Sequence, residues 1–296
     1  MMPSASELQY FLEVTNTLNV SRAAERLGIS QPTLSLAIQR LEHSCGTPLL
    51  IRTKAGVKLT HAGQKLVVQV RSLISDWERI KGDVLKDEEE VRGQYTIGCH
   101  TSVALFSLPE FLPSLLQENP HFELKLVHDL SRKITEDVIS FKIDFGIVVN
   151  PWEHPDLIIR PLWKDEVTLW TAKKPTPLQD AFSGEGILIA DPDLIQSQTI
   201  LKQLSKSKMK FKRNITSSNL EVISSLIAHG CGVGILPTRV ATRLKSLELK
   251  TAAKDSPKFY DKICLVYRAD AQRSKANRTL AKFIEARLLG SPATDS

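Results

Sequence analysis

Apolar positions in the first 60 residues recur at helical spacing. Leu8, Phe11, Leu12, Thr15 and Leu18 make one inward stripe, and Ser6 with Gln9 three residues on fits a capping box that opens this helix. Two shorter helices fill 18–42. Gly28 stops the first in a left-handed turn, Ser30 caps the next, and Pro32 sits in its first turn, where a missing N–H costs little. Leu34, Ala37, Ile38 and Leu41 then face inward. After Gly46, Pro48 and Gly56 punctuate a short two-stranded wing. From Thr60 the periodicity is clearest: Leu66, Val70, Leu73, Trp77, Ile80 and Val84 alternate steps of four and three, with Ile74 broadening the seam. A lone helix cannot bury such a stripe, so it pairs with a second copy or with another part of its own chain. The polar run 86–90, followed by Gly93, reads as helix exit and hinge.

Beyond the hinge, strands and helices alternate. Strands are predicted at 95–99, 122–126, 143–149, 167–172, 186–190, 210–215, 232–237 and 263–267, and helices at 105–117, 134–141, 219–229 and 272–289. This rhythm predicts a parallel α/β sheet in two halves, without a fixed-period repeat.

Composition changes the picture little. A chain of 296 residues suits a small domain plus a larger one, and a net charge of +6 suits a polyanionic partner without demanding one. No apolar run is long enough to span a bilayer, and the N-terminus has neither the basic start nor the apolar core of a secretory signal. The expected location is the cytoplasm, with no membrane partner. Cys45, Cys99, Cys231 and Cys264 are too dispersed for a thiol metal site, and inert, mostly buried thiols are expected, with a redox switch as the lesser alternative.

The outward face of the third helix carries Gln31, Ser35 and Gln39 at four-residue steps, with Pro32, Thr33, Leu36 and Arg40 beside them. Forked amides, a hydroxyl and a guanidinium, with no acid among them, can read base edges in a major groove. The same face also reads as an ordinary solvated helix surface. Arg52, Lys54 and Lys58 in the wing are placed to meet phosphates, or to be plain loop charges.

The order of residues narrows this. Ala23-Ala24-x-x-Leu27, Ser30-Gln31-x-x-x-Ser35-x-x-Ile38-x-x-Leu41-Glu42, Gly46-x-Pro48-Leu49-x-x-Arg52 and Leu59-Thr60-x-x-Gly63 closely resemble the N-terminal domain of LysR-type transcriptional regulators. That family usually carries Phe at the position of Leu50 and often a polar residue at that of Leu36. The resemblance continues through Gly98, Leu108-Pro109, Ile143-Asp144-Phe145-Gly146-Ile147 and Gly230-x-Gly232-Val233-Gly234-Ile235-Leu236-Pro237. It implies a mainly-α winged helix-turn-helix at 3–60 (helix-turn-helix about 20–39) and a linker helix and hinge at 61–92. An α/β effector domain of periplasmic-binding-protein type at 93–296 follows. Its subdomain I would comprise about 94–163 and 266–296, and subdomain II about 164–265. The resemblance also implies an antiparallel linker-helix dimer, or a dimer of dimers, on an inverted-repeat operator in double-stranded DNA. The seam residues would then form the dimer contact.

In open α/β sheets, ligands bind beyond the strand ends near helix N-termini, whose free N–H groups attract anions. His100, Thr101 and Ser102, then Ser131, then Ser217, Ser218 and Asn219 occupy such turns, and Asn150 follows a strand. These are the candidate effector-binding residues, for a small molecule expected to be an anion; each Ser also suits a plain helix cap. No hydrolase elbow, zincin motif, Walker loop or dinucleotide fingerprint occurs, so no enzyme activity, cofactor or metal is expected. The function this supports is sequence-specific transcriptional regulation modulated by an effector between two α/β subdomains. The alternatives are a cytoplasmic small-molecule-binding protein or enzyme with an accessory DNA-binding domain, and an architectural DNA binder without effector.

Overall fold

A computed structural model describes residues 3–53, 56–84, 91, 93–243, 246 and 248–289. The chain divides near residue 87 into two compact units.

The N-terminal unit contains α1 (Ala5–Thr17), α2 (Val20–Leu27), α3 (Gln31–Cys45), β1 (Leu50–Thr53), β2 (Gly56–Leu59) and α4 (His61–Val84). Helix α1 opens earlier than its sequence pattern predicts. Ser4 Oγ accepts from the Glu7 N–H (3.1 Å) and the Glu7 carboxylate accepts from the Ser4 N–H (2.9 Å). Ser4-x-x-Glu7 and Ser6-x-x-Gln9 both satisfy the capping pattern, but only a carboxylate also meets the positive end of the helix dipole. Leu18 is not inward. It is the left-handed C-cap of α1 (φ 50°), half exposed, and its carbonyl accepts from the Val57 N–H at 2.9 Å.

Leu8, Phe11, Val14, Ala23, Ala24, Leu34, Ile38 and Leu41 form the core of this unit, and α4 completes it with Val67 and Val70. Gly63 allows that approach: a Cβ there would stand 2.2 Å from the Leu49 carbonyl oxygen. The heptad seam of the sequence is therefore split. Val70 is buried (3 % exposed) and Leu66 and Ile74 pack partly into the same core, so Val70 is not free for a second copy. Leu73 and Trp77, one to two turns on, are 51 % and 58 % exposed. The side chains of Ile80 and Val84 lie outside the described residues, as does the 86–90 hinge.

The C-terminal unit is built on one nine-stranded sheet. In chain order its elements are β3 (Gly93–Cys99), α5 (Thr101–Glu118), β4 (Phe122–His128), α6 (Ser131–Ile139), β5 (Phe145–Val149), β6 (Leu157–Ala172) and β7 (Ile187–Ala190). There follow α7 (Ile195–Leu204), β8 (Arg213–Thr216), α8 (Leu220–Ala228), β9 (Val233–Pro237), α9 (Thr238–Arg243), β10 (Leu249–Thr251), β11 (Phe259–Arg268) and α10 (Lys275–Leu289). The strand order is β4-β3-β5-β11-β6-β9-β7-β8, with β10 on β6. The sheet is mixed, not parallel throughout. The outer strands pair in parallel, whereas β5–β11, β11–β6, β6–β9 and β6–β10 are antiparallel.

Two long strands join two lobes. Leu162 and Ile263 belong to a core with Phe111, Phe145 and Leu280, whereas Val167 and Phe259 pack in a second with Leu188, Ile200 and Ile235. Both strands thus cross between lobes at the same level, since Ile263 pairs with Trp163 and Phe259 with Val167. Strand β6 begins ten residues before the predicted 167, and Pro161 explains why the sequence hid it. The register shifts between Ile263 and Cys264, and such a bulge is where a strand tolerates proline. Among the described residues no helix is long and apolar enough to cross a membrane.

Candidate DNA-reading face and ligand cleft

In the N-terminal unit Gly28 adopts φ 66° between α2 and α3, and Ser30 Oγ accepts from the Thr33 N–H at 3.3 Å. These two local devices set α3 against the core on Leu34, Ala37, Ile38 and Leu41 and leave Gln31, Pro32, Thr33, Leu36, Gln39 and Arg40 exposed, with Ser35 partly so. Gln31 Nε2 donates to Ser35 Oγ at 2.8 Å, so the two polar groups lie together on one face. Leu36 and Ile51 add exposed apolar surface. Strands β1 and β2 form an antiparallel hairpin, with Leu50 opposite Leu59 and Thr53 opposite Gly56, and Arg52 is exposed on it. Lys54 lies outside the described residues.

Glu42 ties recognition helix to wing. One carboxylate oxygen accepts from the N–H groups of Leu49 (2.8 Å) and Leu50 (3.1 Å), holding the start of β1 to the last turn of α3. The sequence motif contains Glu42, but its role depends on a turn seven residues away and is not visible in helical spacing.

The C-terminal unit holds a cavity of about 500 Å³ between its lobes, lined by residues from both. His100, Ser102, Ser131 and Asn150 line it; Thr101, Ser217, Ser218 and Asn219 do not. Ser217 and Asn219 serve α8 instead. Asn219 Oδ1 accepts from the Val222 N–H (2.9 Å) and Ser217 Oγ from the Asn219 N–H (3.2 Å). His100 caps α5, its Nδ1 accepting from the Ser102 N–H at 3.3 Å, and burial holds its pKa below the usual value against the pull of Glu221 and Asp191. Ser131 Oγ accepts from the Val149 N–H at 2.9 Å. Ser102 spans the lobes: its hydroxyl donates to Glu221 Oε2 of α8 at 3.1 Å.

The cleft also contains residues that no local pattern marks. Asp165, Asp193 and Asp261 line it, with Phe106, Trp152 and Gln196. Against these acids stand Arg132, engaged by Glu136 at 3.1 Å, and the imidazole of His100. A lining with three acids is not what an anionic effector alone calls for. The helix N-termini that favour an anion are joined in this lining by carboxyl groups. Asp165 stands in the charged run Lys164-Asp165-Glu166 of β6 and Asp261 beside Lys262 of β11, so neither is singled out by the pattern of its strand.

The cysteines offer no reactive centre to this cleft. Cys99 and Cys264 are buried as expected, whereas Cys231 is half-buried and Cys45 exposed; burial pushes the Cys99 thiol up to about 12.

Comparison with known proteins agrees with both halves of this architecture. Residues 5–64 match the family model for bacterial regulatory helix-turn-helix proteins of the lysR family, and residues 88–289 match the LysR substrate binding domain. The HTH-type transcriptional regulator CzcR of Bacillus cereus is 26% identical over 281 residues, covering 94% of this chain and 96% of its own. Among solved structures, ArgP from Mycobacterium tuberculosis superposes with a TM-score of 0.73 at 13% identity, covering 98% of each chain. Full-length OxyR from Pseudomonas aeruginosa gives 0.70 at 18%, covering 97% of this chain and 95% of that one. With a reading helix and wing in one unit, a two-lobed ligand fold in the other, and family models spanning both, the chain belongs to the LysR family of bacterial helix-turn-helix transcriptional regulators.

Proposed function

We propose that α3 reads one half-site of an inverted-repeat operator and that a small molecule in the interlobe cleft adjusts operator occupancy. The observation that carries this is the exposed face of α3, where Gln31 and Ser35 are paired and the one acid of the helix, Glu42, is engaged by the Leu49 and Leu50 N–H groups. Gln31, Pro32, Thr33, Ser35, Leu36, Gln39 and Arg40 meet base edges, with Leu36 suited to a thymine methyl, while Arg52 and Lys54 meet phosphates. The regulator acts in the cytoplasm and catalyses nothing. Residues 3–60 form the DNA-binding domain, 61–92 the linker and 93–296 the effector domain.

Two copies join through α4. Leu73 and Trp77 are its exposed apolar residues among those described, and the stripe continues in sequence to Ile80 and Val84. His100, Ser102, Ser131 and Asn150 orient the effector. A ligand that prefers one lobe arrangement shifts the population of states by its differential affinity alone, and a few kcal/mol suffices. The dimer is the body through which that shift reaches the DNA.

The test is footprinting and fluorescence anisotropy with the full chain. Gln31→Ala should lose about 1–3 kcal/mol on the best operator and relax preference at one base position, whereas Arg52→Ala should weaken all sequences alike and flatten the salt slope by roughly one unit. Equal weakening of operator and random DNA by Gln31→Ala would remove the base-reading role.

A further inference from the structure

The floor of the cleft carries two opposed acids. Where β6 and β11 cross between lobes, their antiparallel register sets Asp165 directly opposite Asp261. Like charges so placed repel, and strands rarely keep them without a purpose or a counter-ion. Both side chains are buried and both line the cavity. Asp165 has a partner: its two oxygens accept from the Arg239 N–H of α9 at 3.4 and 3.3 Å, and the Arg239 charge favours its ionised form. That guanidinium lies over the rings of Trp163 and Phe106. Asp261 is 2 % exposed and has no cation against it among the described residues. Its Oδ1 accepts from Asn150 Nδ2 at 2.7 Å. Burial, with the Asp165 charge adding to it and the Asn150 hydrogen bond opposing it, pushes Asp261 up to about 7; burial pushes Asp165 to about 6.

The other groups facing this floor do not neutralise it. Arg132 of α6 is turned to Glu136, burial favours neutral His100 of α5, and Asp193, ahead of α7, adds a third carboxyl. Trp152 lines the same cavity as these carboxylates and is 39 % exposed, so it offers the cavity an aromatic face. That combination suits an organic cation, which a carboxylate pairs and an aromatic face attracts. A volume of about 500 Å³ suits a small organic molecule, and no trio of metal-ligating side chains occurs among the described residues.

We propose that the effector carries a protonated amine or guanidinium group, which seats on the Asp165–Asp261 pair and against Trp152. This rests on the cleft being the effector site. The far end of such a molecule meets Ser102, Ser131 and the N-termini of α5 and α6, where a carboxylate or hydroxyl is accommodated. Seating the cation draws both aspartates into their charged forms, so binding releases protons.

The test titrates the full chain with putrescine, agmatine, lysine and arginine, with glutarate and adipate as carboxylate counterparts, and with Mg²⁺ and Ca²⁺. Isothermal calorimetry should show one site per chain for at least one amine or guanidine, with proton release visible as a buffer-dependent heat. Its affinity should rise from about pH 6 to about pH 8 and fall roughly tenfold or more in Asp261→Asn, whose pH dependence should be flatter. Asp165→Asn supplies a second variant, and circular dichroism checks that both fold. Absence of binding by all four nitrogen compounds at about 10 mM overturns the proposal, as does amine binding indifferent to both Asn variants. Binding of only the metal ions overturns it too. Ser102→Trp, which fills the cleft, separates the two levels of inference. Dicarboxylate binding abolished by Ser102→Trp leaves the effector cleft standing and removes the cation, whereas ligand binding untouched by Ser102→Trp removes both.

Discussion

Replacing Asp261 by asparagine should stabilise the ligand-free chain, and by an amount that depends on pH. The substitution keeps size and shape, and the new side chain can still accept from Asn150 Nδ2. It removes an acid whose folded pKa is raised, from 3.8 to about 7. The sign follows from proton binding. Between about pH 4 and pH 7 the folded chain holds on Asp261 a proton that the unfolded chain gives up, so the contribution of this group to stability is greatest below that window and falls as pH rises through it. At about 1.4 kcal/mol per pH unit, a rise from 3.8 to about 7 makes about 4 kcal/mol lost by about pH 8. Asp261→Asn avoids that loss, so the two proteins should be nearly equal near pH 4 and separate by about 4 kcal/mol near pH 8. For a unit of this size the gap is about 10 °C in melting temperature. Trp163 and Trp170 are packed one in each lobe and report the transition by fluorescence. A wild-type chain as stable as the variant near pH 8, or a gap that does not shrink on acidification, would refute the reasoning.

Other expectations follow from single contacts. Replacing Leu73 or Trp77 by Glu leaves the N-terminal core intact, since both side chains are exposed there. It should nevertheless dissociate the dimer in sedimentation and collapse operator affinity, because an unpaired charge in a helix interface is costly and two half-sites lose their tether. Glu42→Ala orphans the Leu49 and Leu50 N–H groups. The N-terminal unit should lose about 1–3 kcal/mol in chemical denaturation, and hydrogen exchange at the wing should quicken; an unchanged exchange rate at Leu49 and Leu50 would show that the carboxylate does not hold the wing. Ser102→Ala removes the Ser102–Glu221 hydrogen bond and should blunt the footprint's response to effector while leaving effector-free operator binding nearly as before; an unaltered response would take Ser102 out of the effector site.

What the sequence made legible was what neighbours along the chain decide. The Gly28 turn, the Ser30 cap and the inward stripe of α3 all stand where spacing puts them, because each needs only three or four consecutive residues. Local rules also misled where two solutions competed, as when Ser4-Glu7 rather than Ser6-Gln9 capped α1. Periodicity marked Val70 as half of a seam but could not say which body covers it, and the body proved to be its own domain. In the cleft, Ser102 and Ser218 looked equivalent, yet only Ser102 faces the cavity while Ser218 is left on the exposed approach to α8. The Asp165–Asp261 opposition was beyond reach, since it depends on the register of strands about 100 residues apart and on a bulge at Ile263/Cys264.

The burial of Val67 and Val70 has a consequence for how length can vary within this protein. Because α4 is welded to the reading unit, its exposed stripe has a set angular phase relative to α3. One residue inserted between Val70 and Leu73 would turn Leu73 and Trp77 by about 100° and advance them about 1.5 Å, while seven would nearly restore the angle and add about 10 Å. Operator half-sites are themselves spaced on a helix with a repeat of about 10.5 base pairs. Two screws of different pitch must therefore stay in step. Within the helix, only whole heptads leave the dimer a matching operator to find.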